Sequence, residues 1–204
     1  MLSLRRIAIV NTGAGKNLGD RAMLINMTRI FGELGVEKVY SPDPLPDAFS
    51  DELKSTPYPM LYQCLSRYGD ASTGVRGILR ALLITLECGL LLVLACVYRF
   101  LPAKIAKKLS GYGAEFELLG TLHDADALVF IGGGYLTDKG KFEARSCLFT
   151  GMVARFMGRK VLLTGQGLGP FDARLTCWLA KAVFRSAELV GIRDSGDSLE
   201  YAQQ

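Results

Sequence analysis

The chain has 204 residues, half of them hydrophobic and 22% charged, with a formal net charge of +4. That length builds one large domain with a buried core, and that composition excludes a disordered chain. The 24 basic residues are scattered rather than gathered into one stretch, so no nucleic-acid partner is expected.

In chain order, the first apolar run is Ile7–Val10, behind Arg5 and Arg6. It is too short for the apolar core of a signal peptide and reads as a strand over Arg6–Asn11. A turn-rich stretch, Thr12–Gly19, leads into a predicted helix from about Asp20 to Leu34. A second strand, Glu37–Tyr40, enters a predicted loop that contains Pro42, Pro44, Pro46, Pro57 and Pro59.

A long apolar and basic helical region follows, from Gly77 to about Leu109. Within it Ala81–Tyr98 is apolar except for Thr85, Glu87 and Gly89, with Arg76 and Arg80 before it and Arg99, Lys104, Lys107 and Lys108 after. The stretch is at the lower limit for spanning a bilayer, and Glu87 costs roughly 2–3 kcal/mol near a bilayer centre. A single crossing would also separate the first two strands from the later three. Two readings stay open for residues 78–101: an interfacial helix held by basic flanks, or a buried or subunit-facing one.

The rest of the chain alternates strand and helix. Ala127–Ile131 is followed by Gly132-Gly133-Gly134 and a helix near Phe142–Met157. Lys160–Thr164 is followed by Gly165–Pro170, taken as a loop, and a helix near Arg174–Ala187. Leu189–Ile192 meets Arg193-Asp194, and a last helix begins near Ser195. Strands that are apolar on both faces, alternating with helices, predict an α/β fold: a Rossmann-like, doubly wound parallel sheet. The five cysteines form no CxxC pair and are odd in number, which suits reduced thiols in the cytoplasm. With a single histidine, His123, no metal is expected.

Glycine-rich or polar clusters follow four of these strands. In a parallel sheet the strand ends share one edge, and ligands bind just outside it. Asn17, Gly19 and Asp20 open the first helix, whose positive end suits an anion; Asp20 also reads as its N-cap. Gly132, Gly133 and Gly134 let backbone approach a ligand or the next helix. Asp138 is either a general base or a helix N-cap. Gln166, beside Gly167, offers both a donor and an acceptor. Arg193 is a fixed cation beyond a buried strand, suited to phosphate or carboxylate unless Asp194 or Asp197 pairs with it. His123 ends a helix on the opposite edge, where an imidazolium interacts well with a helix C-terminus.

Taken together, Asn17-x-Gly19-Asp20-x-Ala22, Gly132-Gly133-Gly134-x-Leu136-x-Asp138, Gly165-Gln166-Gly167-x-Gly169-Pro170 and Arg193-Asp194 resemble the serial motifs of the polysaccharide pyruvyl transferase family. The resemblance implies a two-domain fold like the B-type glycosyltransferases. Residues 1–204 would be the N-terminal domain, with an apolar helical insertion near 77–109 and the C-terminal domain absent. It implies transfer of an enolpyruvyl group from phosphoenolpyruvate, a donor substrate with no cofactor, to a sugar of a cell-surface polysaccharide or its lipid-linked precursor.

It further assigns Arg193 to phosphoenolpyruvate, and Asn17, Asp20, Asp138 and Gln166 to acceptor binding or loop geometry. Asp20 and Asp138 are the catalytic candidates, and Gly19, Gly132–Gly134 and Gly167 supply binding backbone. The family's acid-type histidine belongs to the second domain, so this chain is expected to be incomplete for turnover. The cysteines, read as reduced thiols, and the apolar helix with basic flanks suit a cytoplasmic protein, peripheral at the inner face of the membrane. The alternatives are a nucleotide-sugar glycosyltransferase domain or a non-catalytic, membrane-associated binding domain.

Overall fold

The computed structural model describes residues 4–10, 18–42, 54–65, 75–193 and 198, without the side chains of Asp20, Arg21, Lys54, Ser55, Tyr62, Gly140 and Lys141. Seven strands form one parallel sheet: β1 (Arg6–Val10), β2 (Lys38–Ser41), β3 (Lys54–Pro57), β4 (Ala127–Phe130), β5 (Gly133–Leu136), β6 (Lys160–Leu168) and β7 (Leu189–Ile192). Their order is β3-β2-β1-β4-β6-β5, with β7 also on β6. Leu162 and Leu163 pair with both β4 and β7, and Gln166 pairs with both β5 and β7. Thus β4 and β5 run end to end along one flank of β6, and β7 lies along the other.

The helices are α1 (Leu18–Glu33), α2 (Leu61–Leu65), α3 (Val75–Tyr98), α4 (Ala103–Leu109), α5 (Ala114–Asp124), α6 (Lys141–Phe156) and α7 (Arg174–Ser186). Strand side chains alternate between faces, and both faces here are apolar. Ile7, Ile9, Val39 and Val129 pack with Leu24 and Phe31 of α1. Ala8, Val10, Phe130 and Leu163 pack on the other face with residues from α3, α5, α6 and α7. Chain order reverses beside β1, since β2 and β3 lie on one side of it and β4 on the other. This is a doubly wound, Rossmann-like fold.

Three expectations are corrected. The proline-rich stretch is not all loop, because Lys54–Pro57 adds to β2 as the outer strand. Pro57 is its last residue, and an edge position tolerates a missing N–H. The single helical region from Gly77 to Leu109 is two helices, divided at Pro102, which sits at the N-cap of α4 and has no N–H to continue a helix. Finally, Gly165–Leu168 is strand rather than loop. β6 passes a bulge at Gly165, whose φ of +58° suits glycine, and the register shifts between Leu163 and Gln166.

Candidate functional site

In a parallel sheet every crossover helix begins at the C-terminal rim of the strands and directs its positive end there. α1, α6 and α7 do so in this chain. The rim is drawn together around β6. The wholly buried Gln166 amide donates from Nε2 to the carbonyls of Phe130 (3.0 Å), Ile131 (2.9 Å) and Thr164 (3.2 Å). Thr164 Oγ1 donates to Phe130 O at 3.0 Å, and Tyr135 Oη to Ile131 O at 3.1 Å. The end of β4 is therefore stitched to the bulge of β6. Gln166 Oε1, also buried, has no hydrogen-bond partner among the described residues.

Each glycine of the rim has its own reason. A Cβ on Gly132 would lie 2.8 Å from Gly165 O, so backbone-to-backbone packing demands glycine there. One on Gly133 would lie 3.1 Å from the Tyr135 ring and 3.7 Å from Met23 Cε, which puts the second turn of α1 against this loop. Around Gly134 there is open space, so only this glycine of the three leaves room for something from solution. A Cβ on Gly167 would lie 3.1 Å from Arg193 Nη2 and 3.4 Å from Gly133 O.

That last contact locates Arg193. Its guanidinium lies over Gly167 beside Gly133, while its backbone N–H donates to Gln166 O at 2.9 Å. The head is exposed and makes no ion pair among the described residues. The rim thus joins Gly133, Gln166, Gly167 and Arg193, with α1 alongside. Asn17, the Thr12–Lys16 stretch, Asp194 and Asp197 lie outside the described residues. Gly19 and the backbone of Asp20 are in the first turn of α1. Of the helix expected near Ser195, only Ser198 is described; it is buried, and its hydroxyl accepts from Leu168 N–H at 2.9 Å.

Asp138 is close to this rim but faces inward. It is 6% exposed, and its two oxygens accept from Ala173 N–H (2.6 Å) and Thr176 Oγ1 (2.7 Å), at the start of α7. Burial raises its pKa, but the hydrogen bonds from Ala173, Thr176 and the Asp172 backbone, with the nearby Arg145 charge, outweigh that and leave it lowered. These contacts tie the loop after β5 to the start of α7, and not to the helix that follows Asp138. Arg145 Nε donates to Thr176 Oγ1 at 3.0 Å, completing a network that links α6, α7 and the loop after β5. Neither Thr176 nor Tyr135 was singled out from the sequence, because each acts through a partner folding brings close.

The opposite edge of the sheet is electrostatically closed. Arg6 pairs with Asp124 at 2.6 Å, and Asp126 Oδ2 accepts from the backbone N–H groups of Arg5 and Arg6. A cavity of about 550 Å³ lies here, lined by Lys38, Tyr40, Lys104, His123 and Asp124 among others. Lys38 is already hydrogen-bonded to Tyr40 Oη at 2.7 Å, and Tyr40 to Asp124.

His123 is in the last turn of α5, as expected. Its Nε2 donates to Leu101 O at 3.0 Å, and Tyr98 meets its ring edge-on at 6.5 Å. Burial, then the Arg159 charge, lowers its pKa from 6.5, against weaker opposing effects of Leu101 and Asp124. The unfolded chain therefore binds a proton more readily than the folded one. His123 stabilises fully above the unfolded value, and its contribution declines as pH falls below about 6.5 toward the lower folded value. Thermal unfolding followed between pH 7 and 5 should show a falling Tm. His123→Gln, which retains a donor for Leu101, should flatten that slope; an unchanged slope would refute the assignment.

A family model described as "Polysaccharide pyruvyl transferase" matches residues 17–204. No curated protein and no solved structure matches the chain. The match spans every rim segment described above, from the start of α1 to Arg193.

Proposed function

Because the chain belongs to the polysaccharide pyruvyl transferase family, a transferase family, we propose that its rim binds phosphoenolpyruvate and presents the pyruvyl carbon to a saccharide acceptor. The observation that carries this reading is the position of Arg193, an exposed guanidinium laid over Gly167 on the rim that α1 enters with its positive end.

Phosphoenolpyruvate carries a carboxylate and a phosphate, so its site must present several donors and positive charge. A guanidinium supplies a rigid fork for either anion. The dipole of α1 also directs its positive end to this rim, which favours a bound anion. Gly134 leaves open space for the donor to approach backbone. Asn17 and Asp20, at the entrance to α1, are the groups we assign to the acceptor hydroxyls. Asp138 and Gln166 act as positioning residues, the first holding α7 and the second holding the ends of β4 and β6 in register.

The reaction proceeds by protonation of the methylene carbon of the donor, which leaves an oxocarbenium-like centre at the adjacent carbon. A sugar hydroxyl adds there and gives up its proton, and phosphate leaves with its bonding pair. A second hydroxyl of the sugar then takes the vacated position, giving up its proton to the departing phosphate, and closes a cyclic ketal. Cationic groups beside the phosphate stabilise its departure, and a cation on the carboxylate, which the product keeps, holds the donor in place. The acceptor is a sugar of a cell-surface polysaccharide or its lipid-linked precursor, and the precursor would bring the chemistry to the inner face of the membrane.

Titration with phosphoenolpyruvate and, separately, with a nucleotide sugar, followed by ³¹P NMR, tests this reading. Saturable shifts with phosphoenolpyruvate alone are expected. Saturation by the nucleotide sugar without any response to phosphoenolpyruvate would transfer the site to glycosyl transfer.

A further inference from the structure

Helix α3 is inverted with respect to water. On an amphipathic helix of a water-soluble domain the apolar stripe faces the core and the charges face out. The buried positions of α3 are Glu87, Leu91, Ala95 and Tyr98. Glu87, the only charged residue between Ala81 and Tyr98, is thus turned inward at 9% exposure. The outward stripe is Ile78, Leu82, Leu86, Leu90, Val93 and Val97, spaced three or four apart and each at least 50% exposed. Phe100 continues it at 81% exposure. Such a stripe is on the order of 30 Å long. Only 22% of the most apolar window of this helix is buried.

Along the chain, the charges that flank this stripe are basic apart from Glu87. From Val75 to Tyr112 the cations are Arg76, Arg80, Arg99, Lys104, Lys107 and Lys108, and Glu87 is the sole carboxylate. Of these, Arg76, Arg99 and the three lysines are exposed. A second copy docking through α3, in either direction, would bring these cations together. An anionic lipid surface would neutralise them.

The helix is long and apolar enough to cross a bilayer, but the sheet forbids it. β1, β2 and β3 precede α3, β4 to β7 follow it, and β1 pairs directly with β4. Both flanks of α3 therefore stay on one side.

We propose that α3 is a membrane-docking helix. It lies flat on an anionic lipid surface, with the Ile78–Phe100 stripe among the upper acyl chains and Arg76, Arg99 and the α4 lysines at the headgroups. This inference is independent of what the rim binds.

Flotation of the full chain tests it, using vesicles of phosphatidylcholine alone and vesicles containing one-quarter phosphatidylglycerol. The wild type should float with the anionic vesicles and far less with the neutral ones. Leu82→Ser combined with Leu86→Ser should remain in the soluble fraction. Lys104→Gln, Lys107→Gln and Lys108→Gln together should weaken binding roughly hundredfold, at about fivefold per cation. All these side chains are exposed, so circular dichroism melts and phosphoenolpyruvate titrations should match wild type. A wild-type chain that stays soluble with both vesicle types overturns the proposal. So does flotation indifferent to phosphatidylglycerol, or a dimer in sedimentation equilibrium that the leucine variant dissolves.

Discussion

Replacing Arg193 by alanine should weaken phosphoenolpyruvate binding roughly hundredfold while leaving the unfolding midpoint close to wild type. The first half follows from charge. A hydrogen bond to a charged group contributes about 1.5–3 kcal/mol, roughly 10- to 150-fold in affinity. The guanidinium also has no competing ion pair among the described residues. The second half follows from exposure, since the fold depends on the Arg193 backbone N–H, bonded to Gln166 O, and not on its head. Arg193→Lys keeps the charge and loses the fork, so its affinity should fall between the two.

Gly167→Ala is the complementary variant. Its Cβ would stand 3.1 Å from Arg193 Nη2, so the flexible guanidinium must shift although every rim donor is retained. Calorimetric titration of the three variants should give wild type tightest and Arg193→Ala weakest. Wild-type affinity in Arg193→Ala would remove the donor site from this rim.

Asp138→Ala should have the largest effect on stability. Its carboxylate receives two short hydrogen bonds in a buried setting, and bonds to a charged group contribute about 1.5–3 kcal/mol each. Truncation leaves Ala173 N–H without its acceptor, and the buried Thr176 hydroxyl loses one of two partners. A loss of about 3 kcal/mol lowers Tm by about 10 °C in a domain of this size. Because its folded pKa is lowered, the Asp138 contribution is complete above the unfolded value of about 3.8 and vanishes as pH falls through the folded value. The wild-type advantage over the variant should therefore disappear in strong acid. A Tm within 2 °C of wild type at neutral pH would show that α7 is held by other contacts.

Much of this arrangement was legible in the amino-acid order alone. Runs such as Ala127–Phe130 are apolar at every position, which only a sheet covered on both faces accommodates. Alternation of these runs with helices sets the parallel topology, so the loops after β1, β4, β6 and β7 had to share one rim. The motifs at those loops carry the family resemblance in the sequence itself.

Other features depended on partners remote in sequence. Gly165–Leu168 has the composition of a turn, yet β5 and β7 on its two flanks make it a strand. Asp138 reads equally well as a base or a cap until Ala173 and Thr176, more than thirty residues away, take both its oxygens. The Gly132-Gly133-Gly134 run does not reveal that one member packs on Gly165, one on Tyr135 and Met23, and one on open space. Periodicity placed an apolar helix at Ala81–Tyr98, but whether its leucines met the core or the solvent depended on which face Leu91 and Ala95 turned to α5 and α6. Local sequence determines backbone preference and the apolar pattern. Which polar groups remain available to a ligand is decided by contacts between distant segments, and those exist only once the sheet has closed.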